Sequence, residues 1–177
     1  NRVLDEQGRD YLERILGATR RMQLLIHDVL ELSRVGSKAQ TFAPVNVGKA
    51  LAEVLSNLEI YIKETGGQII VENGTPPTIE ADSSQMHLLL QNLISNALKF
   101  SRKGIAAVVK VSTKKDPSAD GFWQILVEDN GIGFDEKYAE RIFGVFQRLH
   151  GKNEYEGTGI GLSICRKIAE RHGGTIS

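Results

Sequence analysis

Three polar residues, Asn92, Asn96 and Lys99, stand four and three positions apart in a segment of helical character. On a helix that spacing puts them along one stripe, aimed together at one ligand. An asparagine oxygen is a neutral, hard donor, suited to complete the shell of a magnesium ion held otherwise by phosphate oxygens and water. Lys99 adds a point charge for the same phosphates. Two glycine motifs follow, Asp129-Asn130-Gly131-Ile132-Gly133-Phe134 and Gly157-Thr158-Gly159-Ile160-Gly161-Leu162. In the first, the Asp129 carboxylate can accept a hydrogen bond from the exocyclic amine that adenine carries and guanine lacks at the matching position. That predicts ATP over GTP, because a base carbonyl would face a second acceptor. Gly131 and Gly133 let the backbone pass close to a flat base. In the second, Gly157, Gly159, Ile160, Gly161 and Leu162 run into a helix start, where backbone N–H groups form a cradle for phosphate. No Lys-Ser/Thr follows, so this is not a Walker loop, and the Gly-x-Gly-x-Gly spacing is not the dinucleotide fingerprint. Each piece has a plainer reading alone: solvated helix positions, an Asp-Asn-Gly turn, a tight glycine turn. Their order along the chain is what points to a nucleotide. Between the motifs runs a charged stretch, Asp135 to Glu156, long enough to be a working lid. Within it, Arg148 is the residue expected to reach a terminal phosphate on closure.

The elements that must position these residues are legible in the apolar pattern. From Leu4 to Leu32, apolar or small residues recur at 4, 11, 15, 18, 22, 25, 29 and 32, a heptad seam widened by Leu12, Leu16, Ile26 and Leu30. A helix on the order of 50 Å long cannot bury such a stripe against itself, which predicts a bundle with a second copy of the chain. The plainer alternative is a helix lying on its own globular domain. Gly36 to Gln40 breaks the period and reads as a linker. Beyond it, Val47 to Lys63 reads as a helix stopping at Gly66-Gly67, and 68–72 and 78–81 read as short strands. Asp82 is placed to cap the helix that carries Met86, Leu89, Leu90, Leu93, Ile94, Ala97 and Leu98 on its apolar face. Strands are expected over 105–114 and 122–128, and a last helix over 158–171. Interleaved helices and strands predict an α+β domain, a sheet covered on one face by helices.

Composition narrows the rest. The 22 basic and 22 acidic residues cancel, so no global field draws in nucleic acid or an anionic membrane. The single cysteine, Cys165, suits a reducing compartment, and no apolar run approaches the roughly 20 residues of a membrane span. A cytoplasmic location is expected, with any membrane anchor elsewhere.

Residues 90–101, Leu90 through Asn92, Asn96 and Lys99 to Ser101, resemble the N-box of sensor histidine kinases, and the glycine motifs resemble their G-boxes. Ile142-Phe143-Gly144-Val145-Phe146 is similar to the F-box, and residues 147–150 with 154–159 are similar to the lid of phytochrome-like members. Arg21 to Arg34 resembles the second helix of the family's dimerisation and histidine phosphotransfer bundle. The resemblance implies a two-layer α/β sandwich of the Bergerat type: a mixed sheet covered on one face by helices, preceded by a long bundle-forming helix. Residues 1–38 would be that helix and linker, and 39–177 the catalytic ATP-binding domain. It implies Asn96 as the magnesium ligand, Asn92 and Lys99 lining the phosphates, and Asp129 on adenine. ATP and Mg2+ would be the cofactors. The terminal phosphoryl group would pass to a histidine and then to a response-regulator aspartate, in a homodimer formed through the first helix. The family's acceptor histidine, followed by an acidic residue and shortly by a proline, is absent. His27-Asp28 has the acidic neighbour alone and reads as a polar bundle position. The family continues past Ser177 into a final strand pair, so a fragment is expected. ATP-hydrolysing relatives of topoisomerase or chaperone type carry a glutamate where this chain has Asn92, which cannot act as a general base. A non-catalytic dimeric signalling module is the remaining alternative.

Overall fold

The computed structural model describes residues 5–37, 41–72, 76–117, 121–149, 155 and 157–177. Helix α1 (Glu6–Ser37) leads into strand β1 (Ala43–Asn46), helices α2 (Val47–Asn57) and α3 (Glu59–Thr65), and strands β2 (Gln68–Val71) and β3 (Thr78–Ala81). Helix α4 (Ser83–Lys99), strands β4 (Val108–Lys115) and β5 (Trp123–Asp129) and helix α5 (Gly161–Arg171) complete it. Two single 3₁₀ turns, Glu136–Tyr138 and Arg141–Phe143, lie between β5 and α5.

The architecture is the expected long helix followed by a mixed sheet with helices packed on it. Strand β4 is central, parallel to β2 and antiparallel to β5, while β1 and β3 form a separate antiparallel pair. Period-two alternation turns Val109 and Val111 of β4 inward, at 0% and 1% exposure. They meet the apolar stripe of α4, where Leu90, Ile94 and Leu98 are fully buried. Ile160, Ile164 and Ile168 bring α5 onto the same core. Burial of these aliphatic side chains, about 1.5–3 kcal/mol each, is the main force holding α4 in place.

Several boundaries differ from the sequence reading. Strand β1 was not foreseen: four residues containing Pro44 offer little alternation to read. The segment expected as one helix over 47–63 is two, because Leu58 leaves helical geometry (φ −91, ψ 0) while burying its side chain in the core. Strand β4 begins at Val108 rather than Ile105, because the Asn130 side chain takes the place of a partner strand. Its amide donates to the Ala106 carbonyl at 3.0 Å and its oxygen accepts the Val108 N–H at 2.8 Å. Helix α5 begins at Gly161 rather than Thr158, because Gly159 holds φ +76, outside helical space.

The heptad seam also divides. Leu25, Leu32 and Val35 of α1 turn onto the chain's own domain, and Lys167 Nζ of α5 donates to the Leu32 carbonyl at 2.9 Å. Tyr11, Ile15, Met22 and Val29 of the same seam remain exposed. The reading of α1 as a helix on its own domain thus holds for its C-terminal part, and the rest of the seam is left uncovered.

Candidate functional site

Helix α4 positions the polar stripe. Asp82 caps it, its Oδ1 accepting the Gln85 N–H at 3.2 Å. The apolar face then fixes rotation about the axis and leaves Asn92, Asn96 and Lys99 half-buried on the opposite side. Lys99 Nζ donates to Asn96 Oδ1 at 3.3 Å and lies 4.3 Å from the Phe100 ring centroid. Burial first, then the nearby Arg148 guanidinium, holds the Lys99 ammonium below the usual lysine range. An anion arriving between these two cations would be compensated on both sides.

The second glycine motif lies along this stripe. A Cβ on Gly161 would stand 2.6 Å from Asn92 Oδ1, and one on Gly157 would stand 3.0 Å from Lys99 Nζ. The motif therefore meets both ends of the predicted triad. Gly159 is wedged against the junction of the F-box-like and lid-like segments, where a Cβ would meet the Gln147 carbonyl oxygen at 2.7 Å and the Phe146 carbonyl carbon at 3.0 Å. Ile160 is fully buried and anchors the loop from beneath, and Leu162 is half-buried at the start of α5. The first turn of α5 has no side-chain cap hydrogen bond and starts at Gly161, beside Asn92; the N–H groups of such a turn suit an anion.

The first glycine motif closes the other end. Gly131 is buried against the C-terminus of α4, where a Cβ would fall 2.5 Å from the Phe100 carbonyl oxygen. The Ile132 N–H donates to that same oxygen at 2.9 Å, and Arg102 Nε donates to the Gly131 carbonyl at 2.8 Å. Asp129 is exposed at the end of β5, with Oδ1 accepting the Gly131 N–H at 2.8 Å. Gly133, exposed at φ +62, follows at the rim.

Arg148 is held by the main chain in this conformation. Its guanidinium clasps two backbone carbonyls, donating to Gly157 O at 2.7 Å and to Tyr155 O at 2.5 Å. Two of its five N–H donors are thus committed to main-chain carbonyls at the start of the second glycine motif. Tyr155 anchors the same segment, its hydroxyl donating to the Ser101 carbonyl at 3.2 Å and its ring tilted against Phe100 at 5.0 Å. Residues 150–154 and 156 of the expected lid lie outside the described residues. The first part of that stretch is packed structure: Phe143 is 8% exposed, and Arg166 of α5 pairs with Glu140 at 2.9 Å. Sequence reasoning had no signal for Asp28, whose Oδ2 accepts the Thr158 hydroxyl at 2.5 Å from 130 positions away.

Among the described residues no three His, Cys, Asp or Glu side chains cluster as metal ligands. Asn96 Oδ1, which accepts from the Lys99 ammonium at 3.3 Å, is a neutral oxygen donor of the type that suits a site where a magnesium ion draws most of its ligands from phosphate and water.

Comparison with known proteins places these features. The family described as histidine kinase-, DNA gyrase B-, and HSP90-like ATPase matches residues 81–177, and the His Kinase A (phospho-acceptor) domain family matches 1–38. Cyanobacterial phytochrome A of Nostoc sp. is 42% identical over 173 residues, covering 98% of this chain and 22% of that protein. Phytochrome-like protein Cph1 of Synechocystis sp. is 38% identical over 174 residues, with the same two coverages. The chain thus spans about a fifth of the length of these relatives. Among solved structures, full-length ShkA in complex with AMPPNP matches with a TM-score of 0.73 at 26% identity, over 97% of this chain and 35% of that one. The catalytic domain of histidine kinase ThkA matches with a TM-score of 0.61 at 26% identity, over 75% of this chain and 84% of that one.

Proposed function

The chain belongs to the histidine kinases of the histidine kinase-, gyrase B- and HSP90-like ATPase family, and from that premise we propose that it binds Mg-ATP between its two glycine motifs and phosphorylates a histidine. The observation that carries this reading is the run of the second glycine motif along α4, with Gly157 at Lys99 and Gly161 at Asn92. A helix start, a lysine and two asparagine amides along one stripe support a triphosphate as the ligand.

Bound Mg-ATP would supply the transferable phosphoryl group and the cation that offsets its charge. Asp129 would accept the adenine amine, with Gly131 and Gly133 beneath the base. Asn92, Lys99, Gly157, Gly159, Ile160, Gly161 and Leu162 would line the phosphates, and Asn96 would hold the metal. Arg148, released from its carbonyls, would join Lys99 on the developing charge. As the bond between the terminal phosphorus and its bridging oxygen breaks, a bond to a neutral imidazole nitrogen forms and ADP leaves. The imidazole is its own nucleophile, so the domain's contribution is position and electrostatics. We place the acceptor outside these 177 residues: among the histidines described, His87 is held by Glu53 and Ser83, and His172 by Asp82 and Ile168. His27 lacks the acceptor motif. Homodimerisation through α1, passage of the group to a response-regulator aspartate and a cytoplasmic setting belong to the same proposal, as does the division into a helix over 1–38 and a catalytic domain over 39–177.

Hydrolysis is disfavoured by Asn92, whose amide donates to the Leu88 carbonyl at 2.9 Å and which offers no base for water. The decisive measurement is transfer of label from γ-labelled ATP to a supplied helical fragment bearing the family's acceptor motif. Transfer is expected, and Asn96→Ala should reduce it by about 10²-fold or more. Rapid phosphate release without labelling would show a hydrolase instead, and unchanged transfer by Asn96→Ala would remove that residue from the site.

A further inference from the structure

The peptide between Gly131 and Ile132 is gripped at both ends by the stretch that follows α4. Arg102 Nε donates to its carbonyl oxygen at 2.8 Å, and its N–H donates to the Phe100 carbonyl at 2.9 Å. A peptide plane fixed at oxygen and at nitrogen cannot turn. Glycine needs such a grip, because without a Cβ its own dihedral angles define no single direction for its N–H. Held in this way, the Gly131 N–H is donated to Asp129 Oδ1 at 2.8 Å. On the intervening residue, the Asn130 side chain is bound to Ala106 and Val108, and its N–H to the Val108 carbonyl. Asp129 itself is exposed at the end of β5, and the glycine N–H is the one hydrogen bond its carboxylate makes among the described residues. The direction of that carboxylate therefore depends on the Gly131 peptide, and through it on Arg102.

We propose that Arg102 is a positioning residue for base recognition: by clamping the Gly131–Ile132 peptide it aims the Asp129 carboxylate, with Oδ1 occupied and Oδ2 presented to the adenine amine. This rests on the reading of Asp129 as the adenine contact. The other bonds that brace the loop come from the main chain or from Asn130 within the motif, and Arg102 supplies one from a side chain outside it. A plainer role for Arg102 is that of a cation just past the C-terminus of α4, where any positive charge is favourable. The geometry is more specific than that. The contact is made by Nε, the nitrogen set in the stem of the side chain, and a charged donor on a carbonyl strengthens the bond made by the N–H of the same peptide. Lysine carries a methylene at that position of its side chain, and glutamine carries its amide nitrogen there. Arg102 is exposed, so substitutions leave the core untouched.

The test is calorimetry on the whole chain with Mg-ATP and with the magnesium complex of purine riboside triphosphate, in which hydrogen replaces the adenine amine. The parent chain is expected to prefer ATP. Arg102→Met, which removes donor and charge, and Arg102→Lys, which keeps the charge alone, should each weaken ATP binding about threefold to tenfold and leave the analogue unchanged. Arg102→Gln, which keeps the donor, should retain most of the preference. A preference undiminished in Arg102→Met would overturn the role of Arg102 while leaving the nucleotide site standing. So would a preference kept by Arg102→Lys and lost by Arg102→Gln, since charge and not the bond would then carry it. An equal loss for both nucleotides, the mark of a general weakening of the site, would overturn it as well. Equal binding of the two nucleotides by the parent chain, or none, would overturn the roles of Asp129 and Arg102 together.

Discussion

At the scale of single residues, a carboxylate and a glycine N–H two positions on close the first glycine motif. Asp129 and Gly131 belong to one turn, and the turn forms as their types demand, with the carboxylate accepting the glycine N–H. Gly131→Ala would put a methyl group 2.5 Å from the Phe100 oxygen. The backbone there cannot yield cheaply, and a loss of about 1–3 kcal/mol is expected from the denaturant midpoint. Lys99 carries a pH signature. Its proton is held less tightly in the folded chain than in the unfolded one, burial being the main cause and Arg148 the second. Between the lowered value and the ordinary lysine value the unfolded chain therefore binds more protons, so stability rises with pH across that window, and the penalty is fully present below it. Phosphates at the site would restore the ammonium. ATP binding in the same alkaline window is accordingly expected to take up protons, read as a binding enthalpy that varies with the buffer's ionisation heat, and Lys99→Met should abolish that dependence. The engagement of Arg148 was not legible, because its partners are main-chain carbonyls and no residue type announces them.

At the scale of elements, caps and periodicity predicted α4 and its stripe, and they failed where tertiary packing overrides local preference. Nothing in the types around Leu58 marks a helix break; the core's claim on that side chain makes it. The Asn130 side chain shortens β4 through bonds made 22 and 24 positions away, beyond any local window. Asp82 caps α4 and does more than that. At 2% exposure it also pairs with Arg171 at 3.2 Å, and its N–H donates to His172 Nε2, tying the first turn of α4 to the last turn of α5. Asp82→Ala is expected to cost about 3 kcal/mol, since it removes the carboxylate that pairs with the Arg171 guanidinium as well as uncapping a helix. Asp82→Asn, which keeps the cap, should recover part of that loss in the same thermal melt.

At the scale of the whole molecule, α1 is divided between two surfaces. Its C-terminal part lies on α5 and α4, while Tyr11, Ile15, Met22 and Val29 form a bare apolar seam. A second chain in a bundle is the occupant we propose for it. Ile15→Glu with Met22→Glu should give a monomer by light scattering, with a melting temperature that no longer rises with protein concentration. The docking of α1 could not be read from the heptads, since one repeat serves a bundle seam and a domain contact alike. The parallel pairing of β2 with β4 has a consequence in time. Parallel neighbours need a crossover, and here β3 and α4 form it. Strand β2 has no mate in the three-stranded sheet until the helix carrying Asn92, Asn96 and Lys99 has been made and β4 has followed it. Such non-local closure is slow. Substitutions in the apolar face of α4 should therefore retard refolding as well as weaken the fold, and a chain emerging from the ribosome would carry its nucleotide helix before it had a sheet to lay it on.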